Sequence, residues 1–66
     1  MNIMLNGEPR DLPDPYTLQT LIEELGLTGR RLAVEVNEDI VPRSQHSECR
    51  LHEGDRVEIV HAIGGG

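Results

Sequence analysis

The sequence predicts an α+β fold: one mixed sheet of four to five strands, with one main helix across one face and a flexible glycine tail at the C-terminus. Three observations predict it. The stretches Asn2–Leu5, Leu32–Asn37 and Arg56–Ile63 alternate side chains at the period of two that suits a half-buried strand. One stretch alone, Leu18 to Leu25, repeats its apolar residues at helical spacing. Finally, 66 residues bury only about 60% of the unfolded surface, enough for a single thin core.

Taken in order, Ile3 and Leu5 point to one side of the first strand and Asn2, Met4 and Asn6 to the other. Asn6-Gly7 is a strong hairpin signal, so Glu8 to Leu12 returns antiparallel. Pro13-Asp14-Pro15 then breaks the sheet, because proline donates nothing to a ladder. Thr17 suits an N-cap, with Tyr16 before it placed to contact Leu21. Leu18, Leu21, Ile22 and Leu25 form one apolar stripe at i, i+3, i+4 and i+7, and Gly26 stands where a left-handed glycine ends a helix. Leu32, Val34 and Val36 share one face of the next strand, Asn37-Glu38-Asp39 turns, and Ile40-Val41 is a brief strand stopped by Pro42. Arg43 to Cys49 reads as polar loop, with a short strand expected at Glu48 to Leu51. After the Glu53-Gly54-Asp55 turn comes the last strand, with Val57, Ile59 and His61 facing opposite to Glu58, Val60 and Ala62.

A helix that crosses back onto a hairpin's own sheet crosses right-handed, and this leaves few topologies. The economical one sets the first strand beside the last, parallel and central: a β-grasp, or ubiquitin-like, fold over residues 1–63, followed by the flexible tail 64–66.

Composition removes several function classes. Twelve acidic side chains against six basic ones give a net charge of −6, the opposite of the basic face that nucleic-acid binding needs and suited to basic partner surfaces. All six basic residues are arginine, so there is no ε-amine to act as a Schiff-base nucleophile or to accept another protein's C-terminus. A single cysteine, Cys49, excludes an internal disulfide and the ligand cluster of a structural zinc site. No basic leader and no apolar run of membrane length is present, so the expectation is a cytoplasmic protein with no metal and no membrane partner.

Internal catalytic candidates are weak. His46, His52 and His61 are scattered and read as solvated or hydrogen-bonded surface histidines. Ser44, Ser47 and Cys49 lie near His46, but a triad also needs an orienting third group in a shaped pocket, so no catalytic residue is assigned. Gly64, Gly65 and Gly66 are no phosphate cradle, since no helix follows them. Terminal glycines alone are also what a frayed end looks like. Here, however, they follow directly from a core strand. A chain without Cβ atoms threads where others do not fit, and five residues from Ala62 reach up to roughly 17 Å. The final carboxylate is ionised at neutral pH and a poor electrophile, so chemistry there requires a partner to activate it with ATP; the chain itself binds no cofactor. On the sheet face away from the helix, Met4, Ala33, Glu35, Glu58, Val60 and Ala62 form a small apolar patch rimmed by acids, beside the root of the tail, and read as a partner-binding surface.

Val34-Glu35-Val36-Asn37, the turn Glu53-Gly54-Asp55 and the run from Val57 to Gly66 together resemble the ThiS sulfur carriers of the ThiS/MoaD ubiquitin-like family, over nearly the whole chain. The resemblance implies a β-grasp fold whose C-terminal glycine, here Gly66, is adenylated by a ThiF-like adenylyltransferase and converted to a thiocarboxylate with sulfur from a donor system. That sulfur then passes to the thiazole of thiamin on the thiazole synthase ThiG, and the chain is a carried co-substrate rather than an enzyme. Three other readings stay open at this level: a MoaD-like small subunit of molybdopterin synthase, whose members are usually somewhat longer, a ubiquitin-like protein modifier, and a plain interaction domain.

Overall fold

The computed structural model describes residues 1–61; the expectations for Ala62, Ile63 and the glycine tail lie outside the described residues. Asn6 and Gly7 both take positive φ, 50° and 83°, the backbone of a two-residue turn whose twist matches that of its flanking strands. It closes β1 (Asn2–Leu5) on β2 (Glu8–Asp11) in antiparallel register, Leu5 opposite Glu8 and Asn2 opposite Asp11. A second two-residue turn, Asn37-Glu38, joins β3 (Leu32–Val36) to β4 (Asp39–Ile40), again with both φ values positive, 53° and 73°.

Between the hairpins lies α1 (Leu18–Glu24). The Thr17 Oγ1 accepts the Thr20 N–H at 3.2 Å, satisfying one of the helix's free donors. At the other end Gly26 turns left-handed at φ 73°. Its N–H donates to the Glu23 carbonyl and that of Leu27 to the Ile22 carbonyl, both at 3.0 Å, the paired bonds of a Schellman motif.

The final strand, β5 (Arg56–His61), fills the centre of the sheet, whose order is β2-β1-β5-β3-β4. It runs parallel to β1 and antiparallel to β3, the β-grasp arrangement expected. The N–H groups of Met4 and Asn6 donate to the carbonyls of Asp55 and Val57, both at 2.9 Å. Past the end of β1 the Asn6 side chain continues the ladder, its Oδ1 accepting from the Ile59 N–H at 2.9 Å and its Nδ2 donating to the Ile59 carbonyl at 3.3 Å.

Leu18, Leu21 and Ile22 from the helix pack on Ile3, Val34, Val57 and Ile59 from the sheet, with Leu12, Tyr16 and Leu51 closing the edges of the core. Two details depart from expectation. His61, placed on the inward face by alternation, is exposed: it is the last residue of β5, beyond Ile59, the last core side chain of that strand. Glu48 to Leu51 forms no strand of the sheet. Its backbone bonds run instead to the start of the helix and the residues just before it, Leu18 N–H to the Cys49 carbonyl at 2.8 Å and Leu51 N–H to the Tyr16 carbonyl at 2.9 Å, after a 3-10 turn at Arg43–Gln45.

Candidate partner-binding face

The sheet presents its open face through alternation and register. β3 and β5 pair with Ala33 opposite Val60 and Glu35 opposite Glu58, while β1 brings Met4 level with Arg56. Five of the six residues expected on this face therefore do sit together; the sixth, Ala62, lies outside the described residues. Val60 is 60% exposed and, with Ile40, is one of the two large apolar side chains among the described residues that are left open to solvent. Ala33 and Glu58 are exposed, and Met4 and Glu35 half-buried.

The electrostatics of the face are unfavourable on their own. Directly opposed residues of an antiparallel pair have Cβ atoms about 4.5–5.5 Å apart, and like charges there destabilise the sheet. Glu35 and Glu58 are such a pair, and a cationic group from outside relieves their repulsion. They border a hollow of about 560 Å³ together with Met4, Glu38 and Arg56, where the Arg56 guanidinium reaches the Glu38 carboxylate at 3.9 Å. Arg56 and Glu38 are additions to the face. Arg56 was within reach of the sequence, since the alternation through Val60 and Glu58 extends one step back to it. Glu38 joins only through the tight turn after β3.

The histidines and cysteine do not converge. His46 is a correction: it is 6% exposed, buried beneath the 3-10 turn with its Nε2 3.0 Å from the Val41 carbonyl, a structural tie rather than a surface group. Burial pushes the Cys49 thiol above its ordinary value, with Asp55 adding to the shift, so the thiolate needed of a nucleophile is scarcer. His52 is exposed beside Asp55 at 3.9 Å. Among the described residues no three His, Cys, Asp or Glu side chains gather as metal ligands, and no helix is long and apolar enough to cross a membrane.

With this geometry in place, comparison with known proteins is informative. A profile of the ThiS family matches residues 3–66. The chain is 38% identical over 64 residues to the sulfur carrier protein ThiS of Thermus thermophilus, spanning 97% of this chain and 98% of that one. It is 42% identical over all 66 residues to a thiazole synthase of Paramagnetospirillum magneticum, but spans only 20% of that protein's length. The crystal structure of a thiamine biosynthesis protein (ThiS) from Geobacter metallireducens superimposes over 100% of both chains with a TM-score of 0.84 at 26% identity.

Proposed function

The chain belongs to the ThiS family, and from that premise we propose that it is a sulfur carrier for the thiazole ring of thiamin, with Gly66 as the carrying residue. A ThiF-like adenylyltransferase joins the Gly66 carboxylate to AMP from ATP, releasing pyrophosphate. A sulfur nucleophile from the donor system then displaces AMP, which leaves with one former carboxylate oxygen, and the product is a thiocarboxylate. ThiG, the thiazole synthase, takes the sulfur from it. In this scheme the chain binds no ATP of its own and catalyses nothing; Gly64 and Gly65 thread the reactive end into each partner, and the open sheet face is held against the partner's surface.

The observation that carries this reading is the family match, which runs on through Gly66. Two others support it. The strand leading to the tail is the central one, so a pull on the tail is borne by ladders on both sides. A thiazole synthase also contains a segment 42% identical to this chain, which favours thiazole over molybdopterin as the destination of the sulfur. The test is intact mass spectrometry after incubation with ATP, the adenylyltransferase and a sulfur source. The expected product carries one sulfur in place of one oxygen at Gly66, and a variant lacking Gly65 and Gly66 gains none. An unchanged mass for the full chain, with an adenylyltransferase active on its own carrier, overturns the proposal.

A further inference from the structure

A second surface, on the other side of the tail's root, is used by none of the chemistry above. The Schellman turn that ends α1 sends residues 27–31 out and back into β3, leaving a hollow of about 320 Å³ between the helix, the start of β3 and the 3-10 turn. That volume is at the low end of the roughly 300–1,000 Å³ of ligand sites. Its apolar wall is Ile22, Leu27 and Leu32, buried or half-buried, and its border carries Arg30, Arg31 and Arg43, all exposed. In a chain of net charge −6, three of the six arginines thus surround one hollow. Among the described residues none of the three has an acidic partner within 4 Å, whereas Arg50 and Arg56 do.

We propose that this hollow is a docking site for an acidic segment of the activating enzyme, one apolar side chain seated against Leu27 and Leu32 and flanking carboxylates held by Arg30, Arg31 and Arg43. The inference rests on the carrier reading for the identity of the partner. Three observations select this occupant. Guanidinium groups match carboxylates with paired hydrogen bonds, so the charge calls for an acidic ligand. Leu32 in the wall is the register partner of His61, so the hollow lies beside the described end of β5, the strand that leads to the tail. Ala33 borders the hollow and also belongs to the open face opposite Val60, so both surfaces fit within one footprint, cationic on one side of the strand end and acidic on the other.

Calorimetric titration of the full chain with its adenylyltransferase, at low and high salt, tests this. R30E/R31E and R43E are expected to weaken binding at low salt by about tenfold each, with the loss shrinking at high salt as the charges are screened. Circular dichroism is expected to match the parent, and R30Q/R31Q to lose less than R30E/R31E. Parental affinity in R30E/R31E and R43E overturns the site, as does a loss confined to thiazole synthase binding or a parent chain that binds no adenylyltransferase. A parent that binds, loses affinity on arginine substitution, yet never gains sulfur at Gly66 keeps the docking site and overturns the carrier reading instead.

Discussion

Among the described residues three that are not glycine sit at positive φ: Asn6, Asn37 and Glu38. Asparagine tolerates that region and here each one is used, Asn6 on β5 and Asn37 through its Oδ1 on the Arg56 N–H at 2.9 Å and its Nδ2 on Asp55 at 3.0 Å. Glu38 has no such return. At φ 73° its Cβ crowds the following carbonyl, and its ion pair with Arg56, between side chains 85% and 69% exposed, contributes little. Glu38→Gly is therefore expected to stabilise the domain by about 0.5–1 kcal/mol, read from the midpoint of chemical denaturation; a lower midpoint would show that the Arg56 contact matters after all. At this scale local chemistry was legible and long-range chemistry was not. Asn6-Gly7 announced its turn, and Asn37-Glu38 announced a turn but not its type, because glutamate is no marker of positive φ. Asp55, buried and accepting from the His52 N–H at 2.7 Å as well as from Asn37, could be read only as a turn residue, since one of its partners lies 18 positions away.

The helix was the most legible element. Its apolar spacing, its threonine cap and its terminal glycine all point to the same ends, and α1 lies between them. The segment from Arg43 to Leu51 was the least legible, because it is held by backbone bonds to Tyr16 and to the first residues of the helix, Leu18 and Gln19, and by buried His46 and Leu51, none of which leaves a periodic trace. Tyr16 joins these two regions. Its ring is in the core, its carbonyl accepts from Leu51, and its hydroxyl donates to Glu24 at the far end of α1. Burial first, then the hydrogen bond and charge of Glu24, push its pKa from 10.0 up to about 12. The unfolded chain releases the phenolic proton near pH 10 while the folded chain keeps it until about pH 12. The unfolded state thus binds fewer protons across that window, and stability falls as pH rises through it. Tyr16→Phe removes this dependence: denaturation at pH 9 and pH 11.5 is expected to show a smaller loss in the variant than in the parent, and parallel losses would place Tyr16 outside the alkaline transition. With no lysine in the chain, the other group that contributes there is the Cys49 thiol, which burial also raises; it is common to parent and variant, so the difference between them reads Tyr16.

For the molecule as a whole, the topology was legible because so short a chain with one helix has few ways to close a sheet, and the open face followed from alternation once β3 and β5 were neighbours. The arginine-bordered hollow was not legible: Arg30-Arg31 and Arg43 are 12 positions apart, and only the packing of the 3-10 turn beside the start of β3 unites them. On the open face, Val60→Arg is expected to leave stability within about 0.5 kcal/mol, as for a surface position, while weakening adenylyltransferase binding roughly tenfold by placing a large cation at the centre of an apolar contact; calorimetry showing parental affinity would remove this face from the interface.

The strand at the centre of the sheet is also the last of the five described strands in chain order. While the chain is still leaving the ribosome, β1 and β3 have no neighbour between them and the helix has no complete floor, so nothing upstream of Arg56 closes a core by itself. A product of interrupted translation that stops short of β5 stays open to proteases. Protease resistance is thus expected only of chains that extend at least to His61, the end of β5, and the fold makes the strand that leads to the tail a condition of its own survival.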